Sequence, residues 1–220
     1  SKIISANTEC FQFKASQKPL KLMVNNWTSD LPEFENIDSV CMQHRVRELL
    51  VIQNDSLVYH FRKNGFTEQS LPSSSSISKS VVSCLIGIAI DDGYFRDEKA
   101  LVSQYLPELK KTPNADSLKL FHLLNHTSGI EGSLQMDARL YYGGDLLKVI
   151  PSIRFKDRPG TKQSYLNINT QLLAIILARA TGKSLSKYAE EKLWKPIQMC
   201  NDAKWSTDRL GEEKAFCCIS

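Results

Sequence analysis

The pattern of apolar and polar positions divides the chain into a strand-forming first part and a helical remainder. Two β-rich runs, at 46–52 and 57–61, flank the turn residues QNDS, which predicts a β-hairpin at about 46–61. Residues 77–90 are apolar on almost every side of a helix, a pattern typical of a buried helix, and Gly93 is suited to end it. The hairpin and this helix, at about 76–92, are therefore the expected start of the fold.

Beyond residue 97 the apolar spacing predicts a block of helices. Short helices are expected in ALVSQYLPEL and GGDLLKVIPSI. Longer ones are expected before the terminators Gly129, Gly182 and Pro196. Strands, then a buried helix, then many helices predict an α+β fold in which an antiparallel sheet is flanked by helices and a helical domain is inserted. We assign residues 1–97 to the first part of the α/β domain, 98–205 to the helical domain and 206–220 to a return towards the sheet.

Composition narrows the function classes without choosing one. A net charge of +4 over 220 residues is too small and too scattered to indicate nucleic-acid binding. No apolar run reaches the roughly 18 to 20 residues of a membrane span, and no signal-peptide pattern is seen. A cytoplasmic protein and a mature secreted protein both stay open, as does the oligomeric state.

Six cysteines occur, and none has the CxxC or Cys/His spacing of a zinc site, so we expect no metal and no cofactor. Cys84 lies inside the apolar helix, which predicts a buried thiol. The side chains of Cys217 and Cys218 are expected on opposite faces of a strand, and free thiols are favoured over disulfides.

The stretch SLPSSSSISKSVVSCLIGIAIDDG carries the candidate chemistry. Only Ser76 lies three residues before Lys79, and side chains at this spacing share a helix face. A serine hydroxyl needs a base to become a nucleophile, and burial beside an apolar helix favours the neutral amine that could serve as one. The alternative is structural: the serine run is a linker or turn, Ser76 caps the helix and Lys79 extends to solvent.

Further segments resemble a known family. SSISKSVVSCLIGIAIDDGYF, LKLFHLLNHTSGI and PGTKQSYLNINTQLLAIILARATGKSLSKYAEEKLWKPIQM are similar to the serine β-lactamase and penicillin-binding-protein superfamily, over roughly residues 46–205. The similarity is greatest to the class C-like branch, which includes esterases, D-amino-acid peptidases and 6-aminohexanoate-dimer hydrolases. Its S-x-x-K motif falls on Ser76 and Lys79, and its Y-x-N motif falls on Tyr165 and Asn167.

The resemblance implies an acyl-enzyme on Ser76, with Lys79 and Tyr165 as general acid and base, that cleaves an amide, ester or β-lactam bond. It implies that Asn167 binds the substrate, a small molecule or a short peptide-like chain. Structural alternatives are a half-buried loop tyrosine and a helix-capping asparagine. His126 in NHTSG could pair with a serine, but the resemblance makes it part of a structural turn.

A third motif of this family, K-T-G or H-x-G on a strand after the helical domain, has no match after Trp205. We therefore expect the 220 residues to be an incomplete domain that lacks C-terminal strands, with a sheet edge and part of the Ser76 cleft open. An inactive relative that binds a peptide-like ligand or a protein partner in the same cleft is the alternative function.

Overall fold

The computed structural model describes residues 10–15, 17–18, 23–24, 37–67, 70 and 72–220. The chain forms two compact units, one of residues 19–72 and one of residues 1–18 with 73–220. Each unit has its own small sheet. The domain division drawn from the sequence stays a prediction.

The smaller unit contains a three-stranded sheet and one helix, α1 (Ile37–Gln43). The strands lie in the order β2 (Met23–Val24), β4 (Ser56–Arg62) and β3 (Glu48–Gln53). Strands β3 and β4 are antiparallel, whereas β2 is parallel to β4. The predicted hairpin is therefore confirmed.

The hairpin could be predicted because its turn residues favour a tight two-residue turn. Asn54 and Asp55 between the strands both have positive φ angles, of 49° and 59°. A two-residue turn of this kind matches the natural twist of paired strands, and Asn and Asp tolerate the left-handed region better than other side chains.

The larger unit is mostly helical, with a two-stranded antiparallel sheet of β1 (Cys10–Phe13) and β5 (Ala203–Ser206). Its α-helices are α2 (Ser78–Asp91), α3 (Leu120–Leu124), α4 (Leu134–Tyr142), α5 (Asn167–Thr181) and α6 (Leu185–Ala189). Short 3-10 turns are Ser75–Ile77, Val102–Gln104, Pro107–Leu109, Ala115–Ser117 and Leu146–Ser152, and a π-helical turn, Glu190–Trp194, continues α6. Together they give the predicted α+β class.

Helix α2 is buried on one side only, so the prediction of a helix buried all round is wrong. Its core side consists of Val82, Leu85, Ile86 and Ala89. Its exposed side consists of Ser80, Ser83, Cys84 and Gly87. These small residues recur at helical spacing and form one stripe, which places the Cys84 thiol at the surface instead of in the core.

Helix α5 is the centre of the hydrophobic core. Ten consecutive residues, 168–177, are buried, and the helix ends at Gly182, whose φ of 68° is the left-handed conformation of a helix stop. Three of the buried residues, Asn169, Thr170 and Gln171, are polar. Buried polar side chains are kept by hydrogen-bond partners, so these positions indicate where other segments attach to α5.

The C-terminal segment attaches to Gln171. The Gln171 side chain donates to the Glu213 carbonyl at 2.9 Å and accepts from the Ala215 N–H at 3.0 Å. The indole N–H of the fully buried Trp205 donates to the Cys217 carbonyl at 3.0 Å. Residues 213–217 are therefore fixed against α5 and β5 by side chains that satisfy their backbone groups.

Two further sequence expectations need correction or addition. Cys217 and Cys218 are joined by a disulfide bond, so the expectation of free thiols on opposite faces is wrong for this pair. Helix α4 was not predicted, although Ser133 caps its start by accepting the Met136 N–H and Gly143 follows its end. Within the described residues, no helix combines the length and apolar character needed to cross a bilayer.

Replacing Gln171 tests the attachment of the C-terminal segment. We expect Gln171→Leu to lower the free energy of unfolding by about 2 to 4 kcal/mol, because a buried N–H and a buried C=O each lose their partner. Gln104→Leu is the matched control, since Gln104 is exposed. Urea unfolding of both variants measures the difference. Equal stability of the two variants would contradict the attachment.

Candidate active site

The serine run forms an ordered turn at the start of α2. Residues Ser75–Ile77 make a single 3-10 turn that leads directly into the helix. The Ser74 N–H donates to the Ile219 carbonyl at 2.7 Å, and the Ser78 hydroxyl donates to the Ser75 carbonyl at 3.0 Å. The turn is thus tied to the C-terminal segment, and it presents the exposed side chain of Ser76 at the surface.

Lys79 reaches back to Ser76, as the three-residue spacing predicts. Its Nζ donates to the Ser76 Oγ at 3.0 Å and to the Phe216 carbonyl oxygen at 2.7 Å. The same ammonium lies 4.9 Å from the centre of the Tyr165 ring. The amine is therefore fixed by a backbone carbonyl while it touches the serine hydroxyl.

Tyr165 joins this pair from a distant part of the chain, two residues before α5. Burial is the largest single influence on the phenol and raises its pKa. Hydrogen bonds from Ser76 and Lys79, with the Lys79 charge, outweigh burial and lower the pKa of Tyr165 below its usual value. The side chain is 63% exposed, so a substrate could reach the hydroxyl. Ser76, Lys79 and Tyr165 thus lie together.

His126 packs beneath Tyr165. The two ring centres are 4.6 Å apart with planes tilted by 30°. The imidazole Nδ1 accepts from the Leu166 N–H at 3.2 Å and lies 3.1 Å from the side-chain nitrogen of Asn169. His126 therefore contacts the Y-x-N segment, in keeping with a structural turn.

Asn167, the fourth predicted residue, is the first residue of α5, and its side chain faces α4. Its amide donates to the Asp137 carboxylate at 3.1 Å and hydrogen-bonds to Tyr141. Burial, followed by the charges of Asp137 and neighbouring tyrosines, raises the pKa of Tyr141, while the Asn167 amide opposes that rise. The side chains of Asn167, Asp137 and Tyr141 thus form a second polar group, next to the one formed by Ser76, Lys79 and Tyr165.

Sequence reasoning missed three groups at this site: the Asp137 carboxylate, the Tyr141 phenol and the Phe216 carbonyl. The first two lie on α4, which Ser133 as an N-cap and Gly143 as a stop could have revealed. The Phe216 carbonyl carries no sequence signal, because any residue supplies a carbonyl and only the fold brings this one to Lys79. In the described part of the chain, no three His, Cys, Asp or Glu residues are grouped so as to hold a metal ion.

The site combines a serine hydroxyl, an amine, and a phenol whose pKa lies below its usual value. Such a set can move a proton from the hydroxyl to a neighbouring base and later to a leaving group. A serine, a lysine and a tyrosine side chain thus meet on an α+β fold with a large helical part.

Comparison with known proteins identifies the family. The model of the Beta-lactamase family matches residues 42–213, and the chain belongs to this family. The predicted superfamily is thereby confirmed.

Three proteins illustrate the similarity. N-acetylmuramyl-L-alanine amidase of Bacillus subtilis (strain 168) is 33% identical over 110 residues, which cover 44% of this chain and 25% of the amidase. A structure titled "Putative 6-aminohexanoate-dimer hydrolase from Bacillus anthracis" has a TM-score of 0.85 at 20% identity. The structural alignment covers 100% of this chain and 66% of that structure. A class C β-lactamase has a TM-score of 0.58 at 23% identity and covers 73% of this chain and 46% of its own.

The two structural likenesses, at 20% and 23% identity, concern the fold alone. The chain spans 66% of the dimer-hydrolase structure and 46% of the β-lactamase structure, and the alignment with the amidase covers a quarter of that protein.

The contact between Lys79 and Tyr165 can be tested by titration. We expect Lys79→Met to raise the pKa of Tyr165, because the phenolate loses a hydrogen-bond donor and a neighbouring charge. The tyrosinate absorbance between about pH 7 and pH 11 measures this, after subtraction of the curve of Tyr165→Phe in the same background. Subtraction is required because the chain has seven tyrosines.

Lys162→Met is the control for that titration, because Lys162 is an exposed lysine only three residues before Tyr165. It should leave the Tyr165 titration unchanged. A Lys79→Met protein that titrates like the wild type would show that the amine and the phenol do not interact in solution.

Proposed function

We propose that this chain carries the acylation site of a serine hydrolase, in which Ser76 is the nucleophile and Lys79 and Tyr165 transfer protons. The observation that carries the proposal is the meeting of the Lys79 amine with the Ser76 hydroxyl at 3.0 Å and with Tyr165 at the exposed start of α2.

In the proposed acylation, the Lys79 ammonium first passes its proton to the Tyr165 phenolate, so that the amine is neutral and Tyr165 is a phenol when the substrate reacts. The amine takes the proton of the Ser76 hydroxyl as Oγ bonds to the substrate carbonyl carbon, which gives a tetrahedral intermediate. Tyr165 then donates its proton to the departing nitrogen or oxygen, the bond to the leaving group breaks, and the Lys79 proton returns to the phenolate. In deacylation, water attacks the acyl carbon and gives its proton to Lys79, the bond to Ser76 Oγ breaks, and Tyr165 donates a proton to Oγ. The Lys79 proton returns to the phenolate, and the acid is released.

The surroundings suit these steps. The Phe216 carbonyl holds one N–H of Lys79, so the nitrogen is oriented before a substrate arrives. Hydrogen bonds that lower the pKa of Tyr165 favour the phenolate, the form that must exist after the proton has been passed on. The Ser76 N–H also lies at a helix start, where such a group can stabilise a developing oxyanion.

Asn167 is proposed to bind the substrate carbonyl by turning one amide N–H from Asp137 or Tyr141 to the substrate. It is the first residue of α5, two positions after Tyr165. Its contact with Asp137 fixes which way the amide points, because a carboxylate accepts only from the nitrogen side of the amide.

The bond that is cleaved is proposed to be an amide or a related acyl bond. The amidase and the dimer hydrolase among the compared proteins carry names that describe cleavage of amide bonds, and the β-lactamase is named for a cyclic amide. Because Ser76 and Tyr165 are open to solvent, a small molecule or a short peptide-like chain could reach both.

Covalent labelling tests the nucleophile. We expect a fluorophosphonate to add one label to the chain, at Ser76, and Ser76→Ala to abolish labelling while the circular dichroism stays that of the wild type. Ser74→Ala, a change in the same turn, should still be labelled. Peptide mass spectrometry locates the label. A label on Ser74 or Ser75, or an unlabelled but folded wild-type chain, would reject Ser76 and favour a non-catalytic relative.

Replacing Lys79 tests the base. We expect Lys79→Arg to react with the fluorophosphonate at least about 100-fold more slowly, because a guanidinium does not give up its proton. Lys162→Arg serves as the control and should keep the wild-type rate. If the Lys79→Arg protein is folded and retains most of that rate, Lys79 is not the base.

A further inference from the structure

His126 contacts the Tyr165 segment at three consecutive positions. Its carbonyl accepts from the Ser164 N–H at 2.8 Å, and its Nδ1 accepts from the Leu166 N–H at 3.2 Å. Between these two bonds, its ring lies against the Tyr165 ring at 4.6 Å. The backbone on both sides of Tyr165 and the phenol ring itself are thus fixed by one histidine.

The histidine is itself held from the core. The side-chain nitrogen of Asn169 lies 3.1 Å from Nδ1, and Asn169 is fully buried, with 0% exposure, in the first turns of α5. Two donors at one nitrogen require that Nδ1 carry no proton, so the proton of the neutral ring is on Nε2.

Burial, the larger influence, and the Lys79 charge both lower the pKa of His126. The neutral ring that can accept from Leu166 and Asn169 is therefore the favoured form near neutral pH. With Nδ1 bound to these two donors, the imidazole is fixed and can hold the Tyr165 ring in place.

We propose that His126 is a positioning residue, which acts through Tyr165 by holding the phenol hydroxyl against Ser76 and Lys79. This inference rests on the proposed function for its catalytic consequence, but the placement of the phenol can be measured independently. Tyr165 is 63% exposed, so the core does not enclose its ring and its position depends on contacts such as that with the His126 ring. Loss of about 1 Å of alignment at such a group is enough to slow a reaction by about 100-fold.

Two substitutions of His126 distinguish the effect of its Nδ1 acceptor from the effect of its backbone conformation. His126 has a φ of 58°, in the left-handed region that Gly and Asn accept more readily than other residues. His126→Gly and His126→Asn therefore both preserve the turn and both remove the ring, but only Asn supplies an oxygen that can accept from the Leu166 N–H.

We expect His126→Gly to raise the pKa of Tyr165 towards its usual value, because the hydroxyl leaves its donors. The maximal rate of fluorophosphonate labelling at Ser76 should fall about 100-fold, while the reagent concentration for half-saturation changes little. His126→Asn should recover part of both properties, with a rate loss of about 10-fold. The tyrosinate titration, corrected with Tyr165→Phe in each background, and labelling rates at several reagent concentrations measure these changes.

His122→Asn is the matched control. His122 is buried, whereas His126 is half-buried, but the His122 Nδ1 likewise accepts a backbone N–H, that of Lys119 at 3.1 Å. Its replacement should lower the thermal stability but leave the Tyr165 titration as in the wild type. A shift of that titration in His122→Asn as large as in His126→Gly would overturn the proposal.

The two measurements also separate this inference from the proposed function. If the wild type is folded but Ser76 is never labelled, the proposed function fails, while a raised Tyr165 pKa in His126→Gly still supports the positioning role. If His126→Gly is folded and its Tyr165 titrates as in the wild type, the positioning role is overturned whatever the labelling shows. Should His126→Gly not fold, His126→Ala takes its place, because alanine also removes the ring and the acceptor, and a wild-type Tyr165 titration in that variant overturns the positioning role.

Discussion

The Lys79 amine, held between the Ser76 hydroxyl and the Phe216 carbonyl, is the contact on which the site depends. One partner is three residues away on the same helix, and the other belongs to the C-terminal segment. A lysine side chain is long and has many rotamers, so a fixed carbonyl acceptor is what keeps its nitrogen at the serine. The accuracy of the site is therefore set by how firmly residues 213–217 are held.

That firmness comes from polar side chains buried in α5. Gln171 binds the backbone at Glu213 and Ala215, and Asn169 approaches His126, which supports Tyr165. Both are fully buried in a helix whose other buried residues, apart from Thr170, are apolar, so their side chains are shielded from water. A single core helix thus fixes the segment that orients Lys79 and the segment that carries Tyr165.

The site is open while its supports are buried, a division that suits the proposed chemistry. Ser76 and Tyr165 are exposed, whereas Asn169, Gln171 and Trp205 have no accessible surface. An acylation site must admit a substrate and water, but its groups must not move when they arrive. The chain belongs to the Beta-lactamase family, and the reaction of its site is our proposal.

The sequence by itself determined the features that depend on near neighbours in the chain. The spacing of Ser76 and Lys79 fixed their contact, Asn54 and Asp55 fixed the hairpin turn, and Gly182 fixed the end of α5, because each is decided by local backbone geometry. The Y-x-N motif identified Tyr165 through the family resemblance alone. Nothing in the local sequence showed that Tyr165 would lie next to Lys79.

Only the tertiary structure decided the rest. It brought Tyr165 to Lys79, gave Lys79 the Phe216 carbonyl, turned Asn167 towards Asp137 and left the small-residue side of α2 exposed. Each of these depends on how distant segments pack against α5. An apolar pattern shows that a helix will be buried somewhere, but the choice of which side is covered, and by what, belongs to long-range packing that periodicity does not encode.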